Sequence, residues 1–469
     1  MLSKRMIDDV GFGFIVEKLE CFSYYGKKEI RKISASFLDS NTLQGCGVST
    51  NLETCFQNIS KLMVVQSRRI DDVRDLLASF KNIEGIVKKL IKLHLSEVEL
   101  FELKRFLLAL ERLAGLWETS KIQLDGIHFV KMTDALNILD SNNQRIAAFS
   151  ILDVDFPALR AARQEKASIE DLIDKHGLTD ELIKQRAEIV AEEDKHEQAV
   201  LKELSDKLRP FVPNFMSNIK SIGLLDLTIA KAVLAKQAGA VCPNISSGDF
   251  RLVNMWNPKT HAELEKNGRS FIKTSIVLEQ GATVLIGANM GGKSLTIKTV
   301  LLNVLLANMG FFVFADEAEV PLFDDVFFIE EGKGNDFLSS FGAEIMQINE
   351  AVSGTLDKKL FICLDEPART TNPAEGTKIV KGIVSYLSRQ KSTSLISTHY
   401  SNVQQNAQAV YQTACFSFDR IDCANANNLE NFIKYDLQKV DSNAAIPTEA
   451  INLCKMLGMN PALLAEIIK

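Results

Sequence analysis

The segment VLIGANMGGKSLTIKTV, residues 284 to 300, restricts the possible folds of this chain more than any other stretch. Its centre, GANMGGKS, fits the pattern GxxxxGK[ST], with an apolar strand predicted before it (Thr283 to Ile286) and a helix predicted from Leu295. Glycines let backbone N–H groups curl around phosphate oxygens, because side chains there would block the approach. A strand, a glycine-rich loop and a helix in this order predict an α/β domain that binds phosphate.

The pattern also assigns roles within this loop. Lys293 is expected to contact the β and γ phosphates of a nucleotide, and the hydroxyl of Ser294 is expected to bind Mg²⁺. The N-terminus of the following helix adds a partial positive charge. The predicted nucleotide-binding residues of the loop are Gly287, Asn289, Met290, Gly291, Gly292, Lys293, Ser294 and Leu295.

Two further apolar strands end in polar residues. KKLFICLDEP delivers Asp365, which would hold Mg²⁺ through its water shell, and Glu366, which would act as general base toward water. Such an acidic pair can also simply cap a following helix. SLISTHY delivers His399 to the carboxyl edge of a sheet, where α/β proteins bind ligands and where it would contact the γ-phosphate or the attacking water.

The first half of the chain has the pattern of long helices. The first proline is Pro157, and apolar residues recur three or four apart after Ser96 and Glu99, which have capping-box spacing. Residues 160 to 209 predict an antiparallel helical hairpin that turns at Gly177. This hairpin carries about ten basic and thirteen acidic side chains, so its surface does not favour phosphate. One more helix is predicted to end at Gly239.

After residue 240 the pattern changes to short β-rich runs: ATVLIG, FFVFAD, KLFICLDE and TSLISTH. Helical stretches lie between several of them, and this alternation predicts a parallel sheet with helices on its faces.

Composition sets further limits. A net charge of −6 argues against a surface built mainly to bind nucleic acid. The N-terminus lacks a secretory pattern, and no run stays apolar for the roughly 18 residues of a membrane span, so we expect a soluble, cytoplasmic protein. The eight cysteines are scattered singly and the six histidines do not cluster at metal-binding spacing, which predicts reduced thiols and no zinc or iron–sulfur site.

These motifs resemble those of the MutS family of ABC-type ATPases, whose phosphate loop reads GPNMGGKS. The segment GFFVFADEAEV resembles the family's sequence after the loop helix, and LSSFGAEI resembles its signature. LDEPARTT resembles the family's DEIGRGT, STHY its THY, and MWNPKTHAELEKNGRSFIK the run that opens its ATPase domain. The resemblance covers the whole chain in outline, but only the ATPase motifs are highly specific.

The resemblance implies an architecture and a cofactor. Residues 1–236 would form a helical core or lever domain with a short hairpin near 160–209, residues 237–425 a P-loop ATPase domain, and residues 426–469 a helical dimerisation tail. The implied ligands are ATP and Mg²⁺, bound at a site shared by two subunits, in a homodimer or a heterodimer with a related MutS-like subunit.

Further residue roles follow from the resemblance alone. Ser339 and Ser340 would be signature hydroxyls that reach the other subunit's γ-phosphate. Phe271 would stack on adenine, Asn289 would contact the nucleotide, and Arg369 would belong to an interface loop.

The chain also departs from the family pattern. It begins where the family's lever domain begins, so we expect a truncated member without a mismatch-reading domain. Leu338 replaces an arginine before the signature, and Pro367 and Ala368 replace Ile-Gly after the carboxylates. These changes leave hydrolysis intact as an expectation but affect how two subunits would communicate.

Three functions remain open at this point. DEPARTTNPAEG is similar to MutS-like proteins that accompany cobalamin- and pyridoxal-phosphate-dependent aminomutases, such as lysine 5,6-aminomutase, as reactivases. This similarity favours an ATPase that moves a helical lever to remodel a protein client. The alternatives are a DNA-binding MutS homologue in repair or recombination and a nucleotide-binding structural subunit paired with a more active relative.

Overall fold

A computed structural model describes residues 4–39, 51–120, 122–149, 156–287, 291–330, 337–355, 357–413, 436–444, 451, 454–455 and 458–468. For residues 4, 36–39 and 337–340 it describes the backbone alone. The chain divides into two compact units. One unit comprises Met1–Glu20, Ile30–Met63 and Ala230–Lys469, and the other comprises Cys21–Glu29 and Val64–Ile229.

The helices and strands, numbered in chain order, show a helical first half and an α/β second half, as predicted. The helices are α1 (Lys4–Val10), α2 (Phe12–Glu17), α3 (Tyr24–Asp39), α4 (Leu52–Met63), α5 (Ser67–Ala78), α6 (Glu84–Leu90), α7 (Glu97–Ser120), α8 (Thr133–Leu139), α9 (Pro157–His176), α10 (Asp180–Leu208), α11 (Val212–Ala238), α12 (Pro258–Lys266), α13 (Lys293–Asn308), α14 (Phe337–Gly354), α15 (Pro373–Leu387) and α16 (Pro461–Ile468). The strands are β1 (Asn244–Ser246), β2 (Phe250–Met255), β3 (Thr274–Leu278), β4 (Gly281–Ile286), β5 (Glu317–Pro321), β6 (Asp325–Glu330), β7 (Leu360–Asp365), β8 (Thr393–Ser397), β9 (Ala409–Thr413) and β10 (Leu437–Val440). None of the helices in the described ranges has the length and apolarity that a membrane span requires.

Local sequence signals explain the ends of the long helices. At the start of α7, Ser96 N–H donates to Glu99 Oε2 at 2.8 Å and Glu99 N–H donates to Ser96 Oγ at 3.3 Å, which confirms the predicted capping box. Helices α9 and α10 pack against each other, and Glu193 of α10 forms ion pairs with Arg163 and Lys166 of α9. Between them Gly177 has φ 78°, a conformation that glycine adopts without the penalty of a side chain.

Two sheets form the α/β part. A four-stranded sheet has the order β1-β5-β2-β3, in which only the β1–β5 pair is parallel. A six-stranded sheet has the order β10-β9-β4-β8-β7-β6 and is parallel except for β10. In a parallel sheet the carboxyl ends of the strands share one edge, so the residues that follow β4, β7 and β8 are brought together there.

The core around the six-stranded sheet follows the alternation of its strands. Val284 and Ile286 of β4 share a buried cluster with Val380 and Val384 of α15. Helix α13 packs against β7 and β8, and buried residues lie on nearly every side of it. The loop between β4 and α13 is therefore carried by two buried elements.

The structure corrects the predicted strand FFVFAD, because residues 311–316 form no strand there. Val313 makes only an isolated bridge to Val241, and Phe314 N–H donates to the side-chain oxygen of Asn303 at 2.7 Å. A backbone N–H that is bonded to a side chain cannot join a strand ladder. The strand of this region is β5, which begins at Glu317.

The ends of the chain also differ from the expected layout. The predicted helical tail includes β10, which pairs with β9 in antiparallel register. The first twenty residues group with the α/β part, since Asn257 Nδ2 donates to Val10 O at 2.9 Å and the rings of Phe12 and Phe311 lie 6.0 Å apart. The functional boundaries at residues 236 and 425 stay predictions.

Candidate functional site

The phosphate loop leaves the sheet at Gly287, directly after β4. Gly287 has φ 147°, and a Cβ at this position would collide with Thr413 Oγ1 of β9. Gly292 has φ 88° and stands immediately before α13. Both positions therefore favour glycine for conformational reasons, and Gly287 also requires it for space.

Lys293 occupies the first position of α13 and is 4% exposed. Its Nζ donates to Gly287 O at 2.8 Å and lies 3.3 Å from Glu366 Oε1. Ser294 is exposed and Leu295 is half-buried in the same first turn, and Gly291 is buried. Asn289 and Met290 lie outside the described residues.

Asp365 and Glu366 follow from the register of β7 and β8. Asp365 pairs with Ser397 across the two strands, and Ser397 Oγ donates to Asp365 Oδ1 at 2.6 Å. The same Oγ accepts from Glu366 N–H at 2.9 Å. One serine hydroxyl therefore fixes both the metal-binding candidate and the backbone of the candidate base.

The Glu366 carboxylate lies at the centre of a group of cationic and titratable side chains. Besides Lys293 at Oε1, Arg369 Nη1 lies 3.3 Å and His399 Nδ1 3.7 Å from Oε2. Glu366 itself is 13% exposed in its side chain and has φ 52°, an uncommon conformation for a residue other than glycine. The structure thus brings Lys293, Glu366 and His399 together at the carboxyl edge of the sheet.

His399 follows β8 and is partly exposed. Burial lowers the pKa of His399, the negative charge of Glu366 raises it, and Lys293 and Arg369 lower it, with a net downward shift. The ring is therefore neutral at neutral pH and able to act as a hydrogen-bonding group without adding a full charge.

The remaining predicted residues are only partly described. The ring of Phe271 is half-buried and lies 6.3 Å from the ring of His261, which lies 5.3 Å from Trp256. The backbones of Ser339 and Ser340 belong to the first turn of α14, and their side chains lie outside the described residues. Their roles, and that of Phe271 in adenine binding, stay predictions.

Sequence reasoning missed three residues that shape this site. Ser397 bonds both carboxylate residues, Thr413 fills the space beside Gly287, and Glu344 accepts from Ala368 N–H at 2.8 Å. A polar residue at the end of the buried strand SLIS was the available signal for Ser397. The other two lie far away in the sequence from the motifs they contact.

The described residues fit a magnesium nucleotide. Glu366 Oε2 is buried and accepts no hydrogen bond of good geometry from the described residues, which leaves an acceptor for water. Ser294 and Asp365 offer oxygen ligands, and Mg²⁺ commonly binds through one or two protein oxygens together with phosphates. Within the described ranges, no group of three or more His, Cys, Asp or Glu residues forms a metal cage made of protein alone.

Comparisons with known proteins agree with this geometry. Residues 283–464 match the family model MutS domain V. Over 234 residues the chain is 29% identical to "Endonuclease MutS2" of Ligilactobacillus salivarius, covering 49% of this chain and 28% of the relative. It is 27% identical over 298 residues to "DNA mismatch repair protein MutS" of Streptococcus suis, covering 61% of this chain and 34% of the relative. For the protein of the same name from Bacteroides fragilis the identity is 26% over 311 residues, which cover 62% of this chain and 35% of the relative.

The matched part of the chain thus spans about a third of the length of these curated relatives. The range matched by the family model contains the phosphate loop, Asp365, Glu366 and His399. Residues 283–464 are thus similar to MutS domain V, and the relatives that share this similarity are named MutS and MutS2.

Proposed function

We propose that this protein is a Mg²⁺-dependent ATPase in which Glu366 is the general base. The observation that carries the proposal is the buried Lys293 ammonium, 2.8 Å from Gly287 O and 3.3 Å from Glu366 Oε1, at the carboxyl edge of the sheet. A phosphate-binding cation and a general base are two of the groups that P-loop ATPases use for hydrolysis.

Each residue has a defined task in this proposal. Lys293 and the loop backbone bind the β and γ phosphates, and Glu366 Oε2 accepts a proton from the water that attacks the γ-phosphorus as ADP leaves. Neutral His399 orients the same water or a γ-phosphate oxygen. Mg²⁺, bound by Ser294 and through water by Asp365, would neutralise part of the phosphate charge.

Steady-state phosphate release tests this activity. Lys293→Ala and Glu366→Gln should each lower kcat by about 100-fold or more, because a buried charge and a proton acceptor are removed. The matched controls are Lys298→Ala on the same helix and Glu375→Gln in the first turn of α15, which should retain turnover. Full turnover in Glu366→Gln would remove Glu366 as the base.

The proposed active form is a dimer with two shared sites, and its nucleotide cycle moves the helical part of the chain against a partner. Support comes from the similarity of LSSFGAEI to the family signature and from the exposed apolar residues Leu463 and Ile468 on α16, which are 53% and 54% exposed. Large apolar side chains at a surface are typical of interfaces.

The proposed client is a cobalamin- and pyridoxal-phosphate-dependent aminomutase. The similarity of DEPARTTNPAEG to reactivase-type sequences and the acidic hairpin α9–α10 support a protein client. The test measures the activity that an inactivated aminomutase recovers after incubation with this protein, fresh cobalamin and ATP. Recovery of activity that requires ATP and is lost with Glu366→Gln supports an aminomutase as the client. Recovery no greater than that measured without this protein rejects the aminomutase as the client.

A second candidate function is DNA binding in repair or recombination, which the names of the MutS and MutS2 relatives favour. Duplex and branched DNA should then bind with an affinity that falls steeply with salt, because binding to phosphates releases counterions. Fluorescence anisotropy across a salt series measures this dependence. Binding that is absent at low salt would exclude DNA as the client.

A further inference from the structure

The loop between β7 and α15 contains two residues in the left-handed region that are not glycine. Glu366 has φ 52° and Ala368 has φ 59°. A conformation of this kind persists only where surrounding contacts hold it, and it is common at active sites.

Both polar backbone groups of Ala368 are bound by buried side chains. Ala368 N–H donates to Glu344 Oε1 at 2.8 Å, and Tyr400 Oη donates to Ala368 O at 2.7 Å. Glu344 is 8% exposed, Tyr400 6% and Ala368 1%. We name these three residues the Ala368 clamp.

The space around the Tyr400 hydroxyl and its protonation state both suit its role as a donor in the clamp. A Cβ at Gly376 would collide with Tyr400 Oη, so glycine at this position leaves room for the hydroxyl. Burial raises the pKa of Tyr400, and the charges of Glu344 and Glu366 raise it further. The hydroxyl is therefore protonated at neutral pH and keeps its role as donor.

The clamp connects elements that each carry part of the candidate site. Glu344 lies on α14, whose first turn contains the backbones of Ser339 and Ser340. Tyr400 follows His399, and their rings lie 4.3 Å apart. Ala368 lies two residues after Glu366, so a shift of its backbone would displace the carboxylate that faces Lys293.

We propose that Glu344 and Tyr400 are positioning residues, which act through the backbone of Ala368 to hold Glu366 in the geometry required for attack by water. The role rests on the ATPase function proposed above. Neither side chain needs to touch the nucleotide. Movement of α14 would also displace Glu366, because this helix carries Glu344, the acceptor of Ala368 N–H.

A purely structural role would affect stability and nucleotide binding together, whereas a positioning role affects kcat first. The phosphate loop has its own supports at Gly287 and Lys293, so nucleotide affinity should survive loss of the clamp. A misplacement of about 1 Å can cost roughly 100-fold in rate, which makes kcat the sensitive quantity.

The experiment compares five variants of the full chain. Glu344→Ala removes the acceptor, Glu344→Gln keeps an acceptor oxygen, and Tyr400→Phe removes the donor while keeping the ring. The controls are Glu350→Ala, exposed on the same helix, and Tyr411→Phe, a buried tyrosine of β9 whose hydroxyl accepts from Val277 N–H. For each variant we would measure kcat, KM, the affinity for a fluorescently labelled ATP analogue, and hydrogen exchange of the segment 366–372.

We expect Glu344→Ala to lower kcat about 10- to 100-fold with affinity changed less than about 3-fold. Tyr400→Phe should lower kcat about 5-fold or more, and Glu344→Gln should stay within about 3-fold of the wild type. Hydrogen exchange of segment 366–372 should rise in Glu344→Ala and Tyr400→Phe alone.

Three outcomes overturn the proposal, and they are distinguishable. If Glu344→Ala and Tyr400→Phe turn over ATP at the wild-type rate, the positioning role of the clamp is rejected and the ATPase function is unaffected. A wild type without turnover rejects the ATPase function and the positioning role with it, even if hydrogen exchange shows that the clamp holds the loop. Equal loss in the Glu350→Ala and Tyr411→Phe controls also counts against the clamp.

Discussion

At the residue scale, the ionisation of His399 depends on opposing influences inside the site. Burial and the cations Lys293 and Arg369 lower its pKa, while Glu366, 3.7 Å away, raises it. The folded protein therefore binds fewer protons at this residue than the unfolded chain, whose histidines titrate near pH 6.5. Neutral His399 consequently contributes stability that is present above about pH 6.5 and is lost as the pH falls below it.

This balance predicts the effect of removing one charge. In Glu366→Gln the influence that raises the pKa of His399 is gone, so the pKa should fall further below its ordinary value. An NMR pH titration of histidine-labelled protein measures the shift, with His399→Gln to assign the resonance. A pKa that is unchanged or higher in Glu366→Gln would contradict the observed arrangement.

The residues that sequence predicted at this site share one property. Lys293, Glu366 and His399 belong to short motifs at the ends of apolar strands, and the geometry of a parallel sheet brings such ends together. The contacts of Ser397 and Glu344 could not be predicted from the sequence, because they depend on strand register and on the placement of α14. Local pattern thus predicts the reacting groups better than the groups that hold them.

At the element scale, helix α13 is held at both ends. Gly292 and the phosphate loop precede its N-terminus, and Lys231 of α11 binds its C-terminal end. Lys231 Nζ donates to Met309 O at 3.0 Å and Gly310 O at 3.1 Å, and it lies 3.9 Å from the centre of the Phe311 ring. A cation at this end also interacts favourably with the helix dipole.

Replacement of this lysine should therefore destabilise the α/β part. Lys231→Met should lower the free energy of unfolding by about 2 to 3 kcal/mol, because it removes charged hydrogen bonds from buried carbonyls. Lys236→Met, exposed on the same helix, is the matched control and should stay within about 0.5 kcal/mol of the wild type. Guanidinium denaturation measures both, and equal stabilities of the two variants would refute this role of Lys231.

The element boundaries show where sequence patterns lose accuracy. The helix predicted from Leu295 begins at Lys293, because Gly292 adopts the left-handed conformation just before it. The strand predicted at FFVFAD is absent because the side chain of Asn303 takes the N–H of Phe314. A run of apolar residues predicts burial reliably, but whether it pairs as a strand depends on partners that are distant in sequence.

At the scale of the whole molecule, the proposed shared site makes activity a property of two chains. A subunit with Ser339→Ala and Ser340→Ala keeps its phosphate loop, and a subunit with Lys293→Ala keeps its signature. In a mixed dimer these two subunits would complete one of the two sites.

Mixing the two inactive variants should therefore restore turnover. If the subunits exchange freely, about half of the dimers are mixed and each has one complete site, so the mixture should reach about one quarter of wild-type kcat. Phosphate release measured before and after mixing checks this value. Turnover that stays at the level of the separate variants would reject the shared site.

Equilibrium binding of Mg-ATP to the purified full chain tests the central claim most directly, since every later step requires it. The measurement is fluorescence titration with a labelled ATP analogue for the wild type, Glu366→Gln and Lys293→Ala. We predict saturable binding in the wild type, similar affinity in Glu366→Gln, and a loss of about 10-fold or more in Lys293→Ala. Absence of saturable binding in the wild type, alone and with a related MutS-like subunit, would contradict the account.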